Sequence, residues 1–330
     1  MRSAHPPSLP LKASLGTHAL LGLKNIKMTC SPTTLYFMLG ERCLRNCSYC
    51  AQRNSSGGIY LSRVMWPPVA PEEVERGMET AIKRGARRIC VQTLDYPHLL
   101  EDLRGLSNIL FSHIPVSLSI PPLSEEEMLL LKEMGVEIAA VSLDAATEEI
   151  FTLHRGAGVG NPYTWEGMWE AMRRSREIFG STVTHVIVGL GESDEDLLRL
   201  FEKLKVEGVY PALFAFTPLP STPLSGISPP PLGRYRAVQL MHHLIFHMGG
   251  EGEGVLLEGG RIVGFRWEGI EDALLSGNYM RTSGCGWCNR PYYNESPRGP
   301  LYNHPAAPSP GEIRRGMDEM RSYGVRTFEG

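Results

Sequence analysis

The sequence predicts an α/β protein whose parallel strands and helices alternate and close into a (β/α)₈ barrel, with an extension at each end. Three observations favour this fold. Strand-like segments rich in apolar and β-branched residues alternate with amphipathic helices. Seven or eight such units follow one another, which favours a closed barrel over an open sheet. The chemically distinctive residues follow the carboxyl ends of the strands, where such barrels have their active sites.

Each predicted unit begins with a buried strand, the first of which is Thr33–Gly40. The first helix starts near Pro71, because two glutamates follow in the first turn, and Gly85 ends it. The other predicted strands are Arg88–Thr93, Ile114–Ile120, Glu137–Leu143, Val183–Val188, Tyr210–Phe216 and Gly254–Glu258, with Asn278–Arg281 as a candidate eighth. The other predicted helices are Glu125–Met134, Trp165–Ile178, Asp194–Lys205, Tyr235–Met248 and Glu271–Ser276.

The composition of the 330-residue chain limits its class and its partners. With 42% hydrophobic and 21% charged residues, it is typical of a globular protein rather than a disordered one. No apolar run approaches the roughly 18 residues of a membrane span, and prolines interrupt Met1–Lys27, so we expect no membrane segment, no signal peptide and a cytoplasmic location. The net charge of −3 argues against nucleic acid as a partner. We expect an extension at 1–32, a barrel at 33–282 and a tail at 283–330.

Seven cysteines carry most of the functional information. Their odd number, in a long chain without an export signal, argues against a disulfide framework. Their short spacings indicate a metal centre instead, either zinc or an iron–sulfur cluster. They form a set of three, a pair and two single residues: Cys43, Cys47 and Cys50; Cys285 and Cys288; Cys30 and Cys90. A four-iron cluster held by three thiolates keeps one iron free for another ligand, so an incomplete set is useful.

The set Cys43-x₃-Cys47-x₂-Cys50 directly follows the first strand, with Tyr49 before its last cysteine. This arrangement resembles the signature of the radical S-adenosylmethionine (SAM) enzymes, which have a TIM-type barrel. Further segments resemble the biotin synthase branch of that family. They are Cys50-Ala-Gln52, Ser142-Leu-Asp144 with Arg155, Ile187-Val-Gly189-Leu-Gly191-Glu192 and Thr222-Pro-Leu224.

The resemblance implies two sets of site residues. The catalytic set would hold a [4Fe–4S] cluster whose open iron binds SAM: Cys43, Cys47 and Cys50. The SAM-binding set would be Tyr49, Ser142, Asp144, Arg155, Gly189 and Glu192. In the family pattern, Asp144 would hold the ribose and Arg155 the carboxylate of SAM, with Gly189 and Glu192 beside the adenine. One electron would cleave SAM to a 5′-deoxyadenosyl radical that abstracts hydrogen, a reaction that needs an enclosed site.

Biotin synthase itself draws sulfur from a second, [2Fe–2S] cluster held in the barrel by three cysteines and an arginine. Cys90 and Arg261 resemble two of these ligands. The third strand has Ser117 and Ser119 instead of a cysteine, and the fifth has Val183–His185. Two ligands are therefore missing, so biotin synthase-like insertion of sulfur into dethiobiotin is the weaker alternative.

Cys30, Cys285 and Cys288 are surplus to that pattern and resemble a second three-thiolate set. On a biotin synthase-like body, the segment Thr282–Asn303 resembles the two-protein lipoyl synthases, each of which carries two [4Fe–4S] clusters, one of them sacrificial. The pair Cys285 and Cys288 alone also suits a zinc half-site or a redox pair, and Cys30 also suits an ordinary buried position.

The fourth ligand of the second cluster stays open at this point. By analogy with a serine of lipoyl synthase, we rank Ser283 ahead of Cys90 and Arg261. For Cys90, which lies in an apolar strand, a purely packing role is the stronger alternative.

The function implied by the resemblance is sulfur insertion at C6 or C8 of a protein-bound octanoyl or mercaptooctanoyl chain, in lipoyl cofactor biosynthesis. The implied partners are an octanoylated carrier protein, received near Arg298–Arg314, a second related radical SAM protein and an electron donor such as ferredoxin. The same cysteine sets also suit a radical SAM mutase or a non-catalytic iron–sulfur scaffold. Asp144 and Arg155 also suit a structural ion pair, and His243 and His247 a solvated helix face.

Overall fold

The computed structural model of the chain describes residues 11–53, 60–295 and 299–329. The strands are β1 (Leu11–Ala13), β2 (Thr34–Leu39), β3 (Tyr60–Leu61), β4 (Val64–Met65), β5 (Arg88–Thr93), β6 (Val116–Ile120), β7 (Ile138–Val141), β8 (Thr182–Val188), β9 (Val209–Ala215), β10 (Val255–Glu258), β11 (Arg261–Arg266) and β12 (Thr327–Glu329). The helices are α1 (Leu15–Leu20), α2 (Pro71–Lys83), α3 (Leu99–Leu110), α4 (Glu125–Glu133), α5 (Glu148–His154), α6 (Trp165–Phe179), α7 (Asp194–Val206), α8 (Leu232–Phe246), α9 (Ile270–Ser276) and α10 (Pro310–Tyr323).

Six parallel strands, rather than the predicted eight, form one wall within the described residues, and we call the enclosure that they make with residues 282–295 the barrel. β2, β5, β6 and β7 pair in that order, and β8 pairs with β9. A parallel bridge between Asp144 and Val186 joins the two sets just beyond the end of β7. β1 runs antiparallel along the free edge of β2. Every residue of β2 and β7 is buried, as expected of a parallel sheet that helices cover.

Residues 282–295 bridge the last and the first of these parallel strands, and we call them the closing segment. On one side, the Ser283 hydroxyl accepts a hydrogen bond from the backbone N–H of Leu213 in β9, at 2.8 Å. On the other side, the Thr34 hydroxyl of β2 donates to the carbonyl oxygen of Trp287, at 2.9 Å. The closing segment therefore occupies the gap that two further strands would fill in an eight-stranded barrel.

The helices pack their apolar faces on this sheet and form one continuous core with it. α4, α7 and α10 each begin with a serine whose side chain and backbone exchange hydrogen bonds with an acidic residue three positions on. Their buried leucine, methionine and phenylalanine side chains each contribute about 1.5–3 kcal/mol to folding. This packing holds the strand ends, and the loops that follow them, in place.

The α/β fold class is confirmed, and the first six predicted strands are present. Val255–Glu258 is also a strand, but it pairs antiparallel with β11 in a separate sheet that β12 completes. Gly259 and Gly260 both have positive φ, which suits a tight hairpin turn and explains this local pairing. The predicted eighth strand is wrong, because Asn278–Met280 is a 3₁₀ turn that follows the positive-φ Gly277.

The predicted division at residues 32 and 282 stays a prediction, and residues 1–10 of the amino-terminal extension lie outside the described residues. None of the helices in the described part of the chain is long and apolar enough to cross a membrane.

Candidate active site

A cavity of about 210 Å³ opens at the carboxyl ends of the parallel strands, and we call it the mouth pocket. Its apolar wall includes Ile187, Phe214 and Tyr293. Seven of the residues predicted for the SAM site line it: Cys43, Cys47, Tyr49, Cys50, Ser142, Asp144 and Arg155. The structure therefore brings together side chains from three separate stretches of the sequence.

The loop after β2 presents its three cysteines to the mouth pocket. The backbone N–H of Arg45 lies 3.4 Å from the Cys43 sulfur, and the Asn161 amide nitrogen lies 3.6 Å from the Cys47 sulfur. Burial raises the pKa of the Cys47 thiol and raises that of the Cys50 thiol to about 12. Both thiols therefore lose their protons only when a metal cation binds the sulfur and displaces the proton. The loop therefore has the sulfur donors, and the N–H groups around them, that an iron–sulfur cluster requires.

Asp144 is the centre of the polar side of the mouth pocket. It follows β7 in a left-handed conformation (φ +68°), held by hydrogen bonds of 2.8 Å between its backbone and the backbones of His185 and Ile187. Its carboxylate accepts a 2.6 Å hydrogen bond from the Tyr49 hydroxyl and a 2.7 Å hydrogen bond from Arg155. Burial and the Asp144 carboxylate raise the pKa of Tyr49, so this hydroxyl stays protonated and donates.

Three polar side-chain atoms of residues that line this pocket are buried and have no partner among the described residues: Ser62 Oγ, Arg155 Nε and Asn294 Oδ1. A buried polar group without a partner costs about 1–3 kcal/mol, so each is expected to have one in the working protein. Arg155 Nε is a donor, Asn294 Oδ1 is an acceptor, and the Ser62 hydroxyl can act as either. The mouth pocket is thus prepared for a polar ligand that offers both kinds of group.

His185 is a pocket residue that the sequence analysis named only as a substitute for a missing cysteine. Its Nδ1 lies 2.8 Å from the hydroxyl of Ser142, which accounts for the position of that predicted residue. Burial lowers the pKa of His185 to about 4, so the ring is neutral at neutral pH. His185 occupies one of the alternate positions of β8 that face inward, and this alternation in the sequence was the signal that could have identified it.

The structure does not bring the remaining two predicted SAM residues, Gly189 and Glu192, to the pocket lining. The Glu192 carboxylate accepts hydrogen bonds from the backbone N–H groups of Gly189 (2.7 Å) and Leu190 (2.8 Å), and it pairs with Arg234 at 3.0 Å. Gly189 has a φ of +109°, and a side chain there would press on Pro230. This motif shapes the turn after β8.

Residues 37–204 match the model of the Radical SAM superfamily, which is just over half of the chain. The chain belongs to this superfamily. Membership implies a [4Fe–4S] cluster and SAM, and the mouth pocket of this radical SAM protein lies within the matched region and the strands that follow it.

Curated relatives of this radical SAM protein are biotin synthases. That of Persephonella marina is 26% identical over 193 residues, covering 56% of this chain and 54% of the relative. That of Desulforudis audaxviator is 26% identical over 262 residues, 74% of either chain. In most of these matches the chain spans about half the length of the curated relative.

Solved structures show the same fold at low identity. Methylornithine synthase (PylB) is 14% identical with a TM-score of 0.51, over 87% of this chain and 80% of that one. The [FeFe]-hydrogenase maturase HydG is 16% identical with a TM-score of 0.52, over 64% of this chain and 49% of that one.

The residues of the mouth pocket fit the implied groups. Three cysteines on one loop suit three corners of a [4Fe–4S] cluster, and the unpartnered Arg155 Nε and Asn294 Oδ1 suit an amino acid such as SAM. Among the described residues, no three His, Cys, Asp or Glu side chains are arranged to hold a single metal ion. The ligands of a four-iron cluster are bound to separate irons, so they are spread more widely than those of one ion.

A second cavity lies inside the barrel, and we call it the inner cavity. It shares five lining residues with the mouth pocket: Gln92, Ser119, His185, Phe214 and Tyr293. Cys285 and Cys288 of the closing segment line it, as does Cys90 of β5. The Gln92 amide nitrogen is 3.1 Å from the Cys90 sulfur, and the Tyr36 hydroxyl is 3.6 Å from the Cys288 sulfur. Three cysteines that are distant in sequence thus line one enclosed space.

The other residues considered for a second cluster lie elsewhere. The Cys30 sulfur lies 3.9 Å from the Asn289 amide nitrogen, and Cys30 lines neither cavity. Ser283 is also absent from the inner cavity, and its hydroxyl accepts the Leu213 N–H described above. Arg261 is exposed on β11, where it stacks on Tyr323 and donates to the carbonyl of that residue. The structure does not place these three side chains around the inner cavity.

An arginine does reach the inner cavity, but it is Arg290 of the closing segment. Its guanidinium lies 3.9 Å from the ring centre of Phe214 and donates to the carbonyl oxygen of Ser283 at 2.8 Å. Its backbone N–H donates to the Tyr36 hydroxyl at 2.8 Å. The sequence analysis missed Arg290, although its position two residues after Cys288 was a usable signal.

Proposed function

We propose that this radical SAM protein inserts sulfur into an unactivated C–H bond of a protein-bound octanoyl or mercaptooctanoyl chain, in the biosynthesis of the lipoyl cofactor. One observation carries the proposal. Cys285 and Cys288, which do not belong to the superfamily's three-cysteine loop, line a cavity inside the barrel that adjoins the mouth pocket. A second sulfur-rich site within reach of the first is what sulfur insertion requires.

The residues of the mouth pocket have distinct roles in this proposal. Cys43, Cys47 and Cys50 hold the first cluster, and Arg155 and Asp144 orient the charged and hydroxyl groups of SAM. When bound, SAM would supply the hydrogen-abstracting radical, with the electron for its cleavage coming from an external donor, and the second cluster would supply the sulfide together with iron that can accept one electron for each C–S bond formed.

The aromatic part of the wall between the two cavities supports a hydrocarbon substrate. Phe214 and Tyr293 contribute to both cavities, and their rings contact edge to face with centroids 5.3 Å apart. Apolar side chains at this point exclude water from a reactive carbon centre, and they match the surface of an acyl chain. A half-buried cation is also present, because the Arg290 guanidinium lies over the Phe214 ring.

The partners follow from the substrate and are proposals as well. An octanoyl chain on a carrier protein must enter the mouth pocket while its carrier stays outside. Residues 299–314 are the described part of the surface predicted to receive it, and Arg298 lies outside the described residues. This segment extends into α10, where it ends at Arg314, and Arg315 follows directly. A second related radical SAM protein and an electron donor such as ferredoxin complete the proposed system.

A second candidate is biotin synthase-like insertion of sulfur into dethiobiotin, and the curated relatives favour it. Against it, Ser117 and Ser119 stand on β6 where that pattern has a cysteine, and Arg261 is remote from the inner cavity.

The test is an anaerobic single-turnover assay of the reconstituted full chain with dithionite and SAM. Octanoyl-lysine peptide, its C6- and C8-thiolated forms and dethiobiotin are compared by mass spectrometry, and 5′-deoxyadenosine is quantified in parallel. We expect a mass gain of one sulfur on an octanoyl or thiolated octanoyl peptide, and the preferred form assigns C6 or C8.

The Cys43→Ala variant serves as the inactive control and is expected to form neither product. Preferential conversion of dethiobiotin would favour the second candidate. Absence of 5′-deoxyadenosine with every substrate would instead indicate a scaffold without turnover.

A further inference from the structure

We propose that Cys90, together with Cys285 and Cys288, forms the three-thiolate set of a second iron–sulfur cluster inside the barrel, with Arg290 as its counter-charge. This inference rests on the proposed function for the role of the cluster, but its ligand set is argued from the inner cavity alone. In this ligand set, Cys90 takes the place that the sequence analysis gave to Cys30, although the same analysis favoured a packing role for Cys90.

Strand register places Cys90 between the two cysteines of the closing segment. In the parallel pairing of β2, β5 and β6, Cys90 is level with Tyr36 on one side and with Ser117 on the other. Residues level with one another in a parallel sheet point to the same face, so these three side chains form one layer inside the barrel. Cys90 is therefore the middle residue of the layer.

Each neighbour in that layer contacts one of the other two cysteines. The Tyr36 hydroxyl is 3.6 Å from the Cys288 sulfur, and the Ser117 hydroxyl is hydrogen-bonded to Cys285. Cys285 and Cys288 consequently face Cys90 from its two flanks. The three cysteines thus line one space, the inner cavity.

The charge balance of this cavity favours an anionic occupant. Arg290 is half-buried at its wall, where its guanidinium donates to the carbonyl oxygens of Ser283 (2.8 Å) and Leu213 (3.3 Å), and among the described residues no carboxylate forms an ion pair with it. A cation that is partly removed from water and has no charged partner favours an anionic neighbour. A cluster held by three thiolates carries net negative charge, and Arg290 lines the same cavity only two residues after Cys288.

The surroundings of Cys30 differ in each of these respects. Its sulfur faces the carbonyl oxygen of its own neighbour Ser31 at 3.7 Å and lies near the Asn289 amide, outside both cavities. Cys30 and Cys90 are therefore a matched pair of cysteine positions, of which one lines the cavity and the other does not.

The experiment compares Cys90→Ala with Cys30→Ala as full chains reconstituted anaerobically. Iron and acid-labile sulfide are counted, and both samples are examined by Mössbauer spectroscopy. We expect about eight irons for the natural chain and for Cys30→Ala, and about four for Cys90→Ala, with loss of one complete set of cluster signals. Retention of SAM cleavage by Cys90→Ala shows that the barrel and its first cluster are intact.

The outcome that overturns the inference is the reverse pattern, in which Cys90→Ala keeps about eight irons or Cys30→Ala loses about four. If Cys90→Ala does not fold, Cys90→Ser preserves the size of the side chain and still changes the iron environment. A Mössbauer spectrum identical to that of the natural chain then contradicts ligation. These readouts are independent of product formation. A two-cluster protein that thiolates no substrate would refute the proposed function. About eight irons in an active Cys90→Ala variant would refute only the proposed ligand set.

Discussion

The two cysteine-bearing regions of this protein are built in different ways. The mouth-pocket loop carries Cys43, Cys47 and Cys50 within eight residues, directly after a strand of the barrel. The inner cavity takes Cys90 from a strand and Cys285 and Cys288 from the closing segment, almost two hundred residues further along the chain. The first site is encoded locally, whereas the second exists only because the closing segment bridges β9 and β2.

The difference implies that the two regions can be disabled separately. The mouth pocket prepares SAM cleavage with residues of its own, and the inner cavity contributes no side chain to the Asp144–Arg155 pair. The two regions meet at their shared wall, which includes His185, Phe214 and Tyr293. Substitutions in the mouth pocket and substitutions in the inner cavity should therefore have distinct effects. They follow here from the largest expected effect to the smallest.

The largest effect is expected from Cys47→Ala, which removes the buried central thiol of the loop. Without it the first cluster has two protein ligands, so we expect 5′-deoxyadenosine formation to fall by at least about 10³-fold. The measurement is product quantification after a single turnover. Cys30→Ala is the matched control, and residual cleavage in Cys47→Ala near the natural rate would show that the loop is not the SAM-cleaving site.

Cys285→Ala should separate the two regions. Its side chain lies in the inner cavity and not in the mouth pocket, so SAM cleavage should stay within a few-fold of the natural rate while sulfur insertion is lost. The ratio of thiolated product to 5′-deoxyadenosine measures this. Sulfur insertion at an unchanged ratio would remove Cys285 from the sulfur-donating site.

Arg155→Lys tests the polar side of the mouth pocket. Lysine keeps the charge but loses the flat guanidinium that donates to Asp144 and presents Nε to the cavity. Loss of a charge-assisted hydrogen bond costs about 1.5–3 kcal/mol, so the Kd for SAM should rise by about 10- to 100-fold. Calorimetric titration of reconstituted protein gives this value.

Tyr49→Phe is the milder comparison at the same carboxylate, since it removes one hydrogen bond and should raise the Kd for SAM by about 2- to 10-fold. If the natural chain and Arg155→Lys bind SAM with the same Kd, the Asp144–Arg155 pair has a purely structural role.

The smallest effect on SAM is expected from Glu192→Gln. The Glu192 carboxylate is committed to the turn after β8 and to Arg234, so this change should lower the free energy of unfolding by about 1–3 kcal/mol with little change in SAM affinity. Denaturant unfolding and SAM titration on the same sample test this. A large loss of SAM affinity at unchanged stability would restore Glu192 to the SAM site.

Much of the barrel and of its mouth was predictable because short-range patterns encode them. Apolar runs with β-branched residues identify the six parallel strands, and the spacing of Cys43, Cys47 and Cys50 identifies the loop. The sequence analysis did not predict helices α1, α3, α5 and α10. It predicted one more barrel strand where β10 instead forms a hairpin with β11, because a strand's sequence does not reveal which sheet it joins.

The sequence by itself determined which residues could ligate metal and which stretches would be strands, since both depend on residue type and on spacings of a few positions. Only the tertiary structure decided that Glu192 serves a turn, that Arg290 rather than Arg261 reaches the barrel interior, and that Cys90 faces Cys285 and Cys288. These choices depend on strand register and on where a distant segment docks. Both are set by packing over the whole fold, and no local pattern in the chain records them.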